Sequence, residues 1–173
     1  NNFFQNGEQL LISTGYGISS YNLNGYEFGD TYYIGDFATQ INVSSTIVHE
    51  NFIYASNSDY GILRADINSN LIDYNNWVNI YNGGVLDLIY NGDNIFFHND
   101  NSIFKINNED VINLLTLENQ IINFKSSDSK IIIITNEDCL IYNIQLTELI
   151  NNINSAMYST NFNQGIIKGN NIY

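Results

Sequence analysis

The chain has 173 residues, 44% hydrophobic and 14% aromatic, which is enough apolar material for one domain with a buried core. It carries 5 basic and 18 acidic residues, and the net charge of −13 argues against nucleic-acid binding because such a surface repels phosphate backbones. The single cysteine excludes a disulfide framework and a cysteine-rich zinc site. No run of 18 apolar residues occurs, so the sequence predicts no transmembrane helix.

The composition favours short strands joined by tight turns. The chain contains 32 asparagines, 28 isoleucines and no proline. Isoleucine, valine, tyrosine and phenylalanine favour the pleated backbone of a strand, whereas asparagine and glycine tolerate positive φ and favour turns. Short apolar runs separated by Asn, Asp, Ser and Gly therefore predict an all-β fold.

A pattern of roughly 40 residues repeats along the chain, which is typical of a β-propeller with one four-stranded blade per repeat. Each copy has an apolar run (strand B), a polar turn and a second apolar run (strand C). The paired runs are Leu10–Ser13 with Ile18–Leu23, Phe52–Ala55 with Ile62–Ile67, Ile95–Phe97 with Ile103–Ile106, and Ile131–Ile134 with Leu140–Ile144. A turn residue precedes each B run by two or three residues, namely Gly7, Glu50, Gly92 and Asp128, and a fifth copy begins at Gly169.

We therefore predict a partial β-propeller over residues 1–173, with about four four-stranded antiparallel blades. The predicted repeat units are approximately 7–49, 50–91, 92–127 and 128–168, and a fifth blade begins at 169. This phase places both chain ends inside a blade, so we expect the propeller to be truncated at both ends. An open array leaves backbone edges unpaired, so we expect further chain or a second chain to cover them.

Strand A should precede each turn residue, and strand D should follow strand C. Val85–Tyr90 is the predicted A strand before Asn91-Gly92, and Asn6-Gly7 occupies the same place in the first copy. Asn-Gly predicts a type I′ hairpin turn, in which two residues have positive φ. Asn24-Gly25 should turn C into D in the first blade.

Two stretches also fit a short helix. Leu146, Leu149, Ile150 and Ile153 lie at helical spacing, and Val111, Ile112, Leu114 and Leu115 could form one helical turn. The alternative in each case is an irregular D strand.

The sequence predicts no catalytic or metal centre and no cofactor. His49 and His98 lie beside strands at non-equivalent positions, without ligands at zinc spacing, so we interpret them as structural or surface residues. Cys139 opens a C strand where other copies have a small residue, which predicts a packed thiol. Acidic loops such as Asn99-Asp100-Asn101 leave calcium binding as an alternative to a solvated surface. Neither a Gly-x-Ser-x-Gly motif nor a phosphate-binding glycine loop is present.

Aromatic residues near the turns are the candidate ligand- or partner-binding residues. Tyr16 and Tyr60 precede the glycines that end two successive B–C turns, so both should project from the same face. Trp77 is predicted in or just after the D strand of the second blade. Exposed Tyr and Trp can anchor a ligand or a protein partner. The alternative is that Trp77 packs between blades and that the tyrosines shield the turn glycines.

The motifs exclude several propeller classes and favour one. The Gly-His and Trp-Asp signature of WD40 repeats is absent, and Gly83-Gly84 occurs only once, which does not support kelch repeats. In the blades of this chain an apolar run is followed by Ser or Thr, a turn, a glycine and an isoleucine. This order resembles the two-component-regulator type of propeller repeat. Within that group the first half of the chain is similar to the PorZ N-terminal β-propeller family. The similar segments are Ser13–Ile18, Tyr21–Leu23, Glu27–Gly35, Phe52–Ala55, Gly61–Asp66 and Asn76-Trp77.

This resemblance implies a non-enzymatic propeller of the type IX secretion system of Bacteroidetes. Members of the family lie on the outer-membrane exterior with the sortase PorU, in the complex that attaches secreted cargo to anionic lipopolysaccharide. The implied partners are therefore a PorU-like sortase and lipopolysaccharide, although a charge of −13 does not suit direct contact with an anionic glycolipid. The resemblance implies a scaffold or docking surface.

Two other function classes stay open. One is the extracellular glycan-sensing propeller of a two-component regulator, which a downstream membrane helix and kinase region would mark. The other is a propeller enzyme acting on polysaccharide, which needs a convergent cluster of charged groups that this sequence does not show.

Overall fold

The computed structural model describes residues 2–91, 93–127 and 129–154, together with the backbone of residues 167–168 and 171–172. The regular secondary structure of the described residues is almost entirely β-strand, with two short 3-10 turns at Asp36–Ala38 and Tyr74–Asn76. None of the described helical segments has the length or the apolar character needed to cross a membrane.

Sixteen of the strands form four sheets of four, each an antiparallel meander. Blade 1 contains β1 (Phe3–Asn6), β2 (Gln9–Thr14), β3 (Gly17–Asn22) and β4 (Glu27–Tyr32). Blade 2 contains β5 (Ser45–His49), β6 (Phe52–Asn57), β7 (Gly61–Asp66) and β8 (Val78–Tyr81). Blade 3 contains β9 (Ile89–Tyr90), β10 (Ile95–Asn99), β11 (Ser102–Asn107) and β12 (Asp110–Thr116). Blade 4 contains β13 (Ile121–Ser126), β14 (Lys130–Thr135), β15 (Asp138–Asn143) and β16 (Leu149–Asn154), and β17 (Ile167–Lys168) pairs with β18 (Asn171–Ile172).

The chain divides into two compact units, Asn1–Leu88 with blades 1 and 2, and Ile89–Tyr173 with blades 3 and 4. In the first unit, Leu11 and Ile18 of blade 1 belong to one buried cluster with Ile53 and Ala55 of blade 2. A buried hydroxyl pair joins the blades beside this cluster, since Ser13 Oγ lies 2.9 Å from Thr46 Oγ1. In the second unit the central cluster includes Phe96, Ile103, Ile131 and Ile133.

The predicted fold class is confirmed, because each pair of apolar runs forms the second and third strands of a four-stranded antiparallel blade. Gly7 and Glu50 occupy the same place in the A–B turns of blades 1 and 2, with φ values of 59° and 52°. The other predicted turn residues Gly92 and Asp128, and the predicted start of a fifth blade at Gly169, lie outside the described residues. The exact repeat boundaries stay a prediction.

The A strands differ from the sequence expectation. Asn6 belongs to β1 and pairs with Gln9, so the turn consists of Gly7 and Glu8, and of these only Gly7 has positive φ. The type I′ prediction for Asn6-Gly7 is therefore wrong, because the turn lies one residue later and has only one residue with positive φ. The A strand of blade 3 is only Ile89–Tyr90, because the N–H of Val85 is bonded to the carbonyl of Asn57 instead.

The two stretches with helical spacing are strands, as the alternative expected. Val111, Ile112, Leu114 and Leu115 lie in β12, and Leu149, Ile150 and Ile153 lie in β16. Leu146 lies in the preceding turn with φ of 59° and is 6% exposed. Register shifts in the pairing of β11 with β12 and of β15 with β16 explain the deviation from strict alternation.

Candidate functional site

The two tyrosine-bearing B–C turns lie at one end of the first unit. Residues 42 and 43, in the connection from blade 1 to blade 2, touch the ends of both inner strands. The N–H of Val43 donates to the carbonyl of Thr14 at 2.9 Å. The amide of Asn57 donates to the carbonyl of Asn42 at 2.5 Å. Both turns therefore flank the same connection. That the two tyrosines project from one face stays a prediction.

Side chains at the ends of the B strands shape these turns. In blade 1 the Thr14 hydroxyl donates to the carbonyl of Gly17 and accepts from the N–H of Tyr16. In blade 2 the Asn57 Oδ1 accepts from the N–H groups of Asp59 and Tyr60 at 2.6 and 2.7 Å. Such Asx- and ST-type turns satisfy backbone donors locally and fix the direction of the tyrosine that follows.

Three tyrosines project from this end, and we define the tyrosine face as Tyr16, Tyr33 and Tyr60. Tyr16 is 43% exposed and Tyr60 is 42% exposed. The rings of Tyr16 and Tyr33 lie 6.4 Å apart at 51°. The carbonyl of Tyr60 accepts from the amide of Asn79 at 2.6 Å, which anchors the second turn to the outer strand. The face thus offers partly exposed rings on a hydrogen-bonded backbone.

Trp77 is not part of the tyrosine face. It directly precedes β8 and is only 7% exposed, packed in the core cluster of the first unit. Its indole N–H donates to the carbonyl of Leu71 at 3.0 Å. This buried position agrees with the alternative that Trp77 packs in the core. Trp77 lies directly before the D strand of blade 2, whereas the sequence predicted it in or just after that strand.

Tyr33 and the exposed Phe37 were missed by the sequence interpretation. A signal for Tyr33 was present, because Tyr32 and Ile34 are buried and the residue between them must point outward. Phe37 lies in a turn and has a φ of 57°. The pattern of apolar residues does not predict such a backbone angle.

The first unit is strongly acidic. Residues 1–88 contain nine Asp and Glu residues and one basic residue, Arg64. Arg64 is 8% exposed, and its guanidinium carbon lies 4.1 Å from the centre of the Phe52 ring. The only guanidinium of this unit is therefore turned inward, so the exposed charge of the unit is negative.

The other residues considered for chemistry have structural surroundings. His49 ends β5, and the ring of His98 in β10 meets the Phe124 ring edge-on at 6.1 Å. Among the described residues, no three His, Cys, Asp or Glu side chains come together as a metal site. The Asn101 amide next to Asp100 donates to the carbonyl of Leu117 at 2.6 Å.

Cys139 is the second residue of β15, not the first as predicted. Asp138 begins the strand, and Cys139 pairs with Ile134. It therefore takes the core position that isoleucine occupies in the other blades, and it is 3% exposed. Burial raises the pKa of its thiol, which keeps the group neutral and unreactive.

Comparison with known proteins agrees with this architecture. Residues 1–78 match the family model of the PorZ N-terminal β-propeller domain of the type IX secretion system. The resemblance to the PorZ propeller is confirmed. PorZ from Porphyromonas gingivalis, described as an essential bacterial surface component of the type IX secretion system, has a structure that matches 83% of the chain at 16% identity, with a TM-score of 0.63. No curated protein sequence matches the chain.

Two further solved structures share the fold. One, described as the extracellular domain of a hybrid two component system from B. thetaiotaomicron, matches 82% of the chain at 16% identity, with a TM-score of 0.58. The other, the computationally designed protein Ika8, matches 98% of the chain at 8% identity, with a TM-score of 0.66. The chain spans 19% of the PorZ structure, 19% of the two-component protein and 53% of Ika8.

Proposed function

We propose that this chain is a non-enzymatic propeller domain that docks a protein partner of the type IX secretion machinery on the outer-membrane exterior. The observation that carries the proposal is the match of residues 1–78 to the PorZ propeller family. The described surface location of PorZ supports the cellular site. A PorU-like sortase is the partner that the resemblance implies.

The tyrosine face is the proposed docking surface. Tyrosine is enriched at interface hot spots because it buries a large rigid ring at low entropic cost and keeps a polar tip for hydrogen bonding. The fixed turns beneath Tyr16 and Tyr60 reduce the ordering cost of binding further.

Charge favours a protein over lipopolysaccharide as the direct ligand. A unit with nine carboxylates and one buried guanidinium repels an anionic glycolipid and attracts a basic protein surface. Lipopolysaccharide would then reach the sortase through another part of the assembly or through a bridging cation.

The test is binding of the protein to a purified PorU-like sortase, compared with a variant carrying Tyr16→Ala and Tyr60→Ala. We expect the dissociation constant to rise about 10- to 30-fold, which corresponds to the loss of a modest hot spot. The melting temperature should stay within a few degrees because both rings are partly exposed. The control variant Tyr26→Ala removes an 81% exposed tyrosine at the other end of blade 1 and should bind like wild type.

If wild type does not bind the sortase, the proposed function is wrong. If wild type binds and the double variant binds equally well, the function stands and the tyrosine face is not the docking surface.

A glycan-sensing propeller is the second candidate, supported by the likeness to an extracellular domain of a two component system. Titration of wild type with neutral oligosaccharides separates the candidates. Saturable quenching of tyrosine fluorescence that Tyr16→Ala removes, without sortase binding, would favour the sensor.

A further inference from the structure

A small closed loop in the first unit presents an exposed aromatic side chain. Gly35 and Thr39 form an isolated antiparallel bridge, and the N–H of Thr39 also donates to the carbonyl of Asp36 at 3.1 Å. Ile34 and Ile41, on either side of this base, are buried. Phe37 lies at the tip and is 84% exposed, so the loop holds its ring away from the core.

The backbone at this tip is strained. Phe37 and Ala38 have φ values of 57° and 58°. Both lie in the left-handed region, which residues other than glycine rarely adopt because of their Cβ. Leu146 adopts a similar φ, but its side chain is 6% exposed and its burial offsets the strain. Phe37 is exposed, so burial does not offset the strain there. Tyr26 combines a left-handed φ with an exposed ring as well, so the functional argument for Phe37 depends on its surroundings and not on the strain alone.

A second loop adds to the apolar surface. The ring of Tyr74 lies 5.9 Å from that of Phe37, and Ile72 in the same loop is 52% exposed. Side chains help to hold this loop, since the Asn76 amide donates to the carbonyl of Asn70 and the Trp77 indole donates to the carbonyl of Leu71. We define the Phe37 knob as Phe37, Tyr74 and Ile72.

Carboxylates border the knob. Asp36 and Asp73 directly precede Phe37 and Tyr74, and both are exposed. The only arginine of the unit is buried, and the unit has no lysine, so no nearby Lys or Arg of residues 1–88 neutralises this border. The complementary surface is an apolar pocket surrounded by lysine or arginine.

We propose that the Phe37 knob is a docking anchor that inserts into an apolar pocket with a basic rim on a protein partner. The inference rests on the proposed function, because the partner is the same sortase and the knob is a contact with it in addition to the tyrosine face. An exposed phenylalanine with an aromatic neighbour and a charged border has the composition of an interface hot spot. A second copy of this chain is a poor occupant, since two acidic units repel each other.

The experiment compares Phe37→Asn with the matched control Tyr26→Asn. Tyr26 is also an exposed aromatic residue with left-handed φ, 53°, and it lies in the C–D turn of blade 1. Because asparagine tolerates this φ, both substitutions should raise the melting temperature by about 2–4 °C. Only Phe37→Asn should weaken binding to the purified PorU-like sortase, by ten-fold or more in the dissociation constant.

Each outcome separates the inference from the function. Sortase binding by wild type and by Tyr26→Asn, with loss in Phe37→Asn, supports the anchor. Equal binding by all three proteins overturns the anchor and leaves the proposed function standing. Absence of binding by wild type overturns both. A concentration-dependent dimer in sedimentation that only Phe37→Asn abolishes, with sortase binding unchanged, would identify a second copy as the occupant and also overturn the proposal.

Discussion

Single residues in the B–C turns set how closely neighbouring strands approach. Gly61 begins β7 with φ of 89°, and the backbone of β8 passes directly over its α-carbon. A Cβ built there would overlap the carbonyl oxygen of Tyr81 and lie 3.0 Å from that of Gly83. Both the dihedral angle and the space therefore demand glycine.

Gly61→Ala should lower the free energy of unfolding by about 3 kcal/mol or more, because the backbone of β8 must move. Gly7→Ala is the matched control, with φ of 59° but open space around the added methyl group. It should cost only about 1 kcal/mol of backbone strain. Urea unfolding of the three proteins measures the difference, and equal losses would show that β8 does not approach Gly61 so closely.

At the scale of elements, the B–C turns of blades 1, 2 and 4 depend on the polar residue that ends each B strand. Thr14, Asn57 and Thr135 all accept hydrogen bonds from N–H groups of the turn that follows. Asn57 does more than the threonines, since its amide also holds the connection that leads into blade 2. This one side chain, 1% exposed, therefore couples a hairpin to a loop distant in sequence.

Asn57→Ala should destabilise the protein by roughly 2–4 kcal/mol, because three backbone groups lose their partner. Asn68→Ala is the control. The side-chain amide of Asn68 donates to Asp66 in an exposed turn, and the loss of this bond should cost less than about 0.5 kcal/mol. The measurement is the midpoint of urea unfolding, which reports stability as long as the m-values of the variants agree with that of wild type. Similar midpoints for the two variants would contradict a structural role for Asn57.

The sequence predicted the inner strands well and the outer strands poorly, for a physical reason. β6 and β7 are buried on both faces, so they read as continuous apolar runs. β4 is almost fully exposed and carries no such signal. In β16 a register shift against β15 moves apolar residues to a spacing that also fits a helix.

The residues of the candidate site also differ in whether the sequence carries a signal for them. Tyr16 and Tyr60 could be found because each lies in a turn next to a glycine that begins a strand. Phe37 could not, because its exposure depends on a left-handed backbone and on a bridge between Gly35 and Thr39. For Trp77 the sequence left binding and packing both open, because its bond to the carbonyl of Leu71 is invisible in the sequence.

At the scale of the whole molecule, the net charge of −13 is a property of the surface, not of the fold. Such a charge acts over about 8–10 Å at ordinary ionic strength and steers a basic partner before contact. It therefore affects the association rate more than the lifetime of the complex.

Two double variants with the same net charge separate the long-range effect of the acidic surface on sortase association from the contact made by the carboxylates beside the knob. Asp36→Asn with Asp73→Asn removes two charges beside the Phe37 knob. Glu8→Gln with Glu27→Gln removes two exposed charges of blade 1, one in the A–B turn and one at the start of β4. Raising salt from about 50 to 500 mM should slow wild-type association about ten-fold or more, because the steering field is screened. Both variants should show a weaker salt dependence of the association rate, since both reduce the same long-range field. Only the first should also dissociate faster, because it alone removes charges that lie against the basic rim.

Stopped-flow and surface-plasmon measurements give the two rates. An association rate that is independent of salt would show that the acidic surface has no part in recognition, and equal dissociation rates would show that the border of the knob stays in solvent.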